Sequence, residues 1–128
     1  MRISIPIVSH VPGGSKQLVW LTGAIKTPPF TVAARREAGF LLRLLQEGES
    51  IGMPQSRPMR TIGPGCLELR VVDSDHSWRI VCHVAAEAVV ILEVFAKKTE
   101  STPRQVLENC RQRLARYRLD IGGCERGR

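Results

Sequence analysis

Residues 66–96 read CLELRVVDSDHSWRIVCHVAAEAVVILEVFA, and this stretch decides the fold. Three runs rich in Val, Ile, Leu and aromatic residues, 66–72, 77–84 and 88–96, are separated by polar or small residues at 73–76 and 85–87. Such runs are β-strands, and links this short join neighbours as an antiparallel meander. Side chains alternate across a strand, so Leu67, Leu69, Val71, Trp78, Ile80, Cys82, Val84, Val90, Leu92 and Val94 are expected on one apolar face, under the helices. The other face then carries Glu68, Arg70, Arg79, His83, Glu93, Phe95 and Lys97.

The register can be read as well. If 73–76 form the hairpin loop, Val72 faces Ser77 and Arg70 falls opposite Arg79. Like charges set side by side destabilise a strand pair unless an anion lies near them. Arginine's planar donor fork suits phosphate. Counting on across the turn at 85–87 sets Glu93 opposite Arg79. The pair is therefore either an ordinary Glu-Arg-Arg surface ladder or an anion site.

Upstream, residues 16–21 (KQLVWL) read as a short first strand, and Pro28-Pro29 stops any helix after it. From Thr31 to Glu47 the apolar residues Ala34, Ala38, Leu41 and Leu45 recur at helical spacing. Thr31 can cap the start and Gly48 can end the helix. Arg35, Arg36 and Arg43 are left to the solvent side. A Gly/Pro-rich connection, 48–65, follows. After the meander, Thr102-Pro103 with Gln105 reads as N-cap, first residue and capping-box partner of a last helix, whose stripe is Val106, Leu107, Cys110, Leu114 and Tyr117. The order is β-α-β-β-β-α. Residues 1–15 read as an N-terminal extension and 16–128 as a single domain.

The 128 residues carry 43% hydrophobic side chains, enough for a modest core. Nineteen Lys/Arg against twelve Asp/Glu give a net charge of +7, which favours polyanionic partners. The excess is concentrated after residue 96, where nine Lys/Arg meet four acids. Cysteines at 66, 82, 110 and 124 have neither zinc-site nor disulfide-framework spacing, so no metal is expected. No apolar stretch approaches the roughly 20 residues of a membrane span. A cytoplasmic protein without a cofactor is the expectation. Of the histidines, His10 and His76 fall in the extension and a turn, while His83 shares the parity of Arg70, Arg79 and Lys97. It could exchange a proton during phosphodiester cleavage or equally fill partly buried space.

The ordered series W20-L21, R35-R36-E37-A38-G39-F40, Q46-x-G48, R57-P58-M59, I62-G63-x-G65, E68-L69-R70-V71, W78-R79-I80-V81 and F95-x-K97-K98-T99 resembles the phage-derived branch of HigB-like toxins in the RelE/ParE superfamily. The resemblance spans roughly residues 16–117. It implies an α+β, RelE-like fold with an antiparallel meander packed by helices on one face. It also implies the toxin of a type II toxin-antitoxin pair, neutralised by a helix-turn-helix antitoxin and cutting mRNA on the ribosome without a metal. Under it, Arg70, Arg79, Lys97, Lys98 and His83 are catalytic candidates, and Arg57, Arg35, Arg36 and Arg43 are RNA contacts. The sequence departs from the family pattern in three places: no aromatic stands near Cys82, Arg57 replaces the commoner lysine, and Glu93 occupies a position that is often polar or histidine. The alternative is a non-catalytic inhibitor of a host protein, either a ParE-like gyrase poison or a phage-encoded binder of a host enzyme.

Overall fold

The computed structural model describes residues 16–21, 30–74, 76–97 and 101–126, the last six by backbone alone. The extension 1–15, the Pro28-Pro29 break and Lys98 lie outside the described residues. In chain order the elements are β1 (Gln17–Trp20), α1 (Val32–Gln46), β2 (Ser56–Pro58), β3 (Cys66–Val72), β4 (Ser77–Val84), β5 (Ala88–Ala96) and α2 (Arg104–Arg126). The α+β class holds, and β3, β4 and β5 have the bounds read from the sequence.

Helix α1 forms where its ends are satisfied. Thr31 Oγ1 accepts from the Ala34 backbone N–H at 3.1 Å, an N-cap bond. At the other end Gly48, with φ +84°, donates to Leu45 O while Glu49 N–H reaches back to Leu44 O at 2.9 Å. This paired closure needs the left-handed backbone that glycine adopts freely. Ala34, Ala38, Leu41, Leu42 and Leu45 form its buried stripe.

The sheet has strand order β1-β5-β4-β3-β2. β1 runs parallel to β5 and the remaining neighbours are antiparallel, so the meander is the centre of a mixed sheet. β2 was not anticipated. It is three residues long and contains Pro58, which an edge strand tolerates because its N–H side need not pair.

The helices do not share a face, contrary to the sequence expectation. α1 packs on one side with Leu69, Val71, Trp78, Ile80, Cys82, Val89 and Ile91. α2 packs on the other through Cys110, Leu114 and Tyr117, against Cys66, Val81, Val90 and Leu92. Ala88–Leu92 are buried without interruption, as in a strand covered on both faces. An irregularity in the β4–β5 ladder at Val81/Cys82 leaves Leu92 without a cross-strand partner and shifts the register by one. Val90 and Leu92 therefore join the α2 side, while Val94 stays with α1. The turn pairs Val84 with Val89, one residue beyond the register counted from the sequence, and the irregularity adds a second step. Phe95, not Glu93, thus stands opposite Arg79, and Glu93 opposite Val81. Fully buried side chains such as Leu69, Ile80, Ile91 and Leu92 each contribute about 1.5–3 kcal/mol relative to exposure.

Candidate active site

β3 and β4 pair as the hairpin loop requires, with Val72 opposite Ser77 and Arg70 opposite Arg79. β2 adds Arg57 opposite Glu68. Cross-strand partners point to the same face, so Arg57, Glu68, Arg70 and Arg79 all lie on the side where α2 packs. Arg57 and Arg70 are exposed there, whereas Glu68 and Arg79 are buried. Lys97 joins them at the end of β5, where its backbone N–H donates to Ser77 O at 2.8 Å.

Helix α2 is tied down elsewhere on this face. Arg113 donates to Leu92 O at 2.6 Å and pairs with the Glu93 carboxylate. Tyr117 Oη donates to Glu87 at 2.6 Å, and Arg111 Nε to Thr61 O at 3.0 Å. Glu93 is thus partnered by the helix, which removes it from the arginine ladder expected from the sequence.

The group has a buried centre and an exposed rim. Glu68, with its side chain only 3% exposed, holds Arg79 Nε at 3.5 Å and Lys97 Nζ at 4.0 Å from its Oε1. Its Oε2 accepts from the Thr102 hydroxyl at 3.3 Å. One guanidinium nitrogen of Arg79 also donates to Ser77 Oγ and to Trp78 O. Four cations thus surround one carboxylate, and an anion fits where the excess charge converges.

The electrostatics follow from the packing. Burial pulls the Lys97 ammonium below its ordinary value; Glu68 opposes this, and Arg79, Arg57 and Arg70 reinforce it. Arg79 is likewise lowered, first by burial and then by the facing Arg70, while Glu68 opposes the shift. A guanidinium stays charged regardless, so of the two cations Lys97 is the one that can titrate.

Not every sequence candidate joins the group. His83 shares the face but stands four residues along β4 from Arg79, about 13 Å at ~3.3 Å per residue. Its Nδ1 lies 3.7 Å from Cys66 Sγ. Burial and Arg118 push its pKa below the ordinary histidine value. Arg35, Arg36 and Arg43 are exposed on α1, on the opposite side of the sheet from Arg79. Lys98 lies outside the described residues.

Two contributors escaped sequence reasoning. Glu68 reads as one more solvent-facing acid, and only the close placement of Arg79 and Lys97 explains its burial. Thr102 reads as a helix cap, yet α2 starts at Arg104, Pro103 O takes the first helical N–H bonds, and the Thr102 hydroxyl goes to Glu68. The available signal was the E-x-R pattern of β3, which puts a carboxylate one pleat from an arginine on the same face.

No curated protein and no solved structure matches the chain. The family model described as phage derived protein Gp49-like (DUF891) matches residues 29–115, a span that runs from just before α1 into the middle of α2 and contains Arg57, Glu68, Arg70, Arg79 and Lys97. The chain belongs to the Gp49-like family of phage-derived proteins, which is related to the toxins of toxin-antitoxin pairs.

Proposed function

We propose that this surface binds a phosphodiester of mRNA and cleaves it, making the protein the HigB-like toxin of a type II toxin-antitoxin pair that acts on ribosome-bound message and is neutralised by a helix-turn-helix antitoxin. The observation that carries this reading is the convergence of Arg57, Arg70, Arg79 and Lys97 around a single buried carboxylate. In the proposed reaction the RNA 2′-oxygen attacks the adjacent phosphorus and loses its proton to a base. The bond from phosphorus to the 5′-oxygen breaks, that oxygen takes up a proton, and a 2′,3′-cyclic phosphate and a free 5′-hydroxyl result. Arg79 and Arg70 stabilise the charge that builds on the phosphorane, a role whose loss typically costs about 10²–10³ in rate. Lys97, its pKa lowered mainly by burial, is the proton-exchanging group. Arg57 at the rim holds the flanking backbone.

The experiment is expression of the wild-type chain and an Arg79→Ala, Lys97→Ala double variant, with mRNA ends mapped. Growth arrest with cuts inside coding sequence, both lost in the variant, is the expected result. Because Arg79 is buried, the exposed Arg70→Ala change is run alongside it, and folding of both is checked by thermal melting. Intact mRNA alongside accumulating DNA breaks would overturn the ribonuclease reading in favour of a gyrase-directed inhibitor. Arrest with neither kind of damage would favour a binder of a host enzyme.

A further inference from the structure

We infer that Glu68 is the positioning residue of this site, a buried carboxylate anchored by Thr102 that fixes where Arg79 and Lys97 present their charge and couples that placement to the start of α2. The inference rests on the reading of this surface as the RNA-cleaving site and assigns a role within it.

Three parts of the chain converge on this one side chain. Arg79 comes from the middle of β4, Lys97 from the residue after β5, and Thr102 from the segment leading into α2. Glu68 itself is diagonal to Arg79 in the ladder, since its direct partner is Val81. A glutamate on such a row normally reaches solvent, yet this one is 3% exposed. Its distances to the two cations, 3.5 and 4.0 Å, are longer than the roughly 2.7–2.9 Å of a tight charge-assisted hydrogen bond. Glu68 therefore keeps Arg79 and Lys97 together without saturating them. A phosphate arriving between the exposed Arg57 and Arg70 can take both cations over with shorter contacts.

The charges facing Lys97 make the arrangement testable. Among the described residues they are Arg57 from β2, Glu68 and Arg70 from β3, and Arg79 from β4. Glu68 is the single negative charge among them, so removing it drives the Lys97 ammonium to lose its proton at lower pH.

The test compares the wild-type chain with Glu68→Gln, Thr102→Val and Thr102→Ser. Cleavage of mRNA on translating ribosomes is followed for kcat and KM, and Lys97 is titrated by NMR of labelled lysine side chains. In Glu68→Gln, kcat is expected to fall at least tenfold while KM changes less than threefold, because the cations that bind RNA all remain. The Lys97 midpoint is expected to move to lower pH. Thr102→Ser, which keeps the hydroxyl, is expected to retain at least three times the kcat of Thr102→Val. An unchanged kcat and an unchanged Lys97 midpoint in Glu68→Gln would overturn the inference and leave the RNA-cleaving reading standing. If the wild-type chain cuts no RNA, that reading fails, and the Lys97 titration still decides whether Glu68 governs the cation. Should Glu68→Gln not fold, equal kcat values in the two Thr102 variants overturn the coupling to α2.

Discussion

Arg70 and Arg79 stand directly opposite each other across β3 and β4, on the sheet face that α2 covers only in part. A like-charge pair in this position destabilises a sheet by about 0.2–1 kcal/mol relative to neutral partners. On the function proposed above, that loss of stability serves anion binding.

Arg70→Gln is therefore expected to stabilise the free protein by up to about 1 kcal/mol in urea unfolding at low salt. The gain should shrink in high salt, where screening shortens to a few ångströms. On the proposed function, added inorganic phosphate should stabilise the folded state, and the same change should weaken that stabilisation. A variant that is less stable at low salt would show that Arg70 is held by a partner and not opposed by Arg79.

Gly65 is the point where the loop before β3 passes over β4. Its φ is +75°, and an added Cβ would lie 3.2 Å from both His83 Cε1 and Val84 O. Its carbonyl accepts from Val84 N–H at 2.8 Å, so the backbone cannot simply move away. Gly65→Ala is expected to lose about 1–3 kcal/mol, the usual cost of forcing a side chain into this backbone region. Gly39, inside α1 with nothing within 4 Å of a built Cβ, supplies the contrast. Gly39→Ala is expected to gain about 0.5–1 kcal/mol. Chemical denaturation of the two variants separates these outcomes, and equal effects would refute the assignment of Gly65 to a constrained turn.

The legible parts of this molecule are those set by local chemistry. The meander showed because polar and small residues punctuate it, and the Arg70–Arg79 pairing followed once the 73–76 loop was counted. The caps of α1 were visible in Thr31 and Gly48. The shift at Val81/Cys82 was not visible, since a β-bulge leaves no composition of its own. Together with the turn that pairs Val84 with Val89, it separated Val90 and Leu92 from the face of Val94 and moved Glu93 away from Arg79. The uninterrupted run Ala88–Leu92 did contain the clue, because a strand with one wet face alternates and this one does not. Within the site, strand parity correctly gathered Arg70, Arg79 and Lys97. Parity also admitted His83, because it reports which face a residue shares and says nothing of distance along the strand. The burial of Glu68 depends on side chains from β4, from beyond β5 and from before α2 meeting in space, which no single segment encodes.

His83 provides a pH test of that separation. Burial and Arg118 lower its pKa, so below about 6.5 the unfolded chain binds a proton more readily than the folded one. Stability contributed by the neutral ring is then lost as pH falls through that window. Urea unfolding between pH 7.5 and pH 5.5 is expected to show this decline in the wild-type chain and a flatter profile in His83→Gln. Cleavage by His83→Gln should fall by far less than the roughly 100-fold that loss of a general acid or base costs. A loss of that size would return His83 to the catalytic group.

Asp73 works in the opposite direction on the pH axis. Its carboxylate accepts from Thr31 Oγ1 at 2.8 Å, from Thr31 N–H at 3.2 Å and from Ser74 N–H at 2.8 Å, tying the β3–β4 loop to the start of α1. The Thr31 hydroxyl bond is the largest cause holding its pKa below the ordinary carboxylate range. A depressed carboxylate contributes stability that is fully present above the unfolded value near 3.9 and is lost as pH falls through the folded value. Asp73→Asn, which keeps the shape and removes the charge, is expected to be less stable than wild type at pH 7. The gap should begin to narrow below about 4, where the unfolded chain takes up the proton, and close once the pH falls below the lowered folded value, when the native carboxylate is protonated as well. Urea midpoints of the two proteins at pH 7 and at steps from pH 4 down to about pH 2 read this directly. A gap of constant size would place the contribution of Asp73 in its shape and hydrogen bonding alone, with no part for its charge.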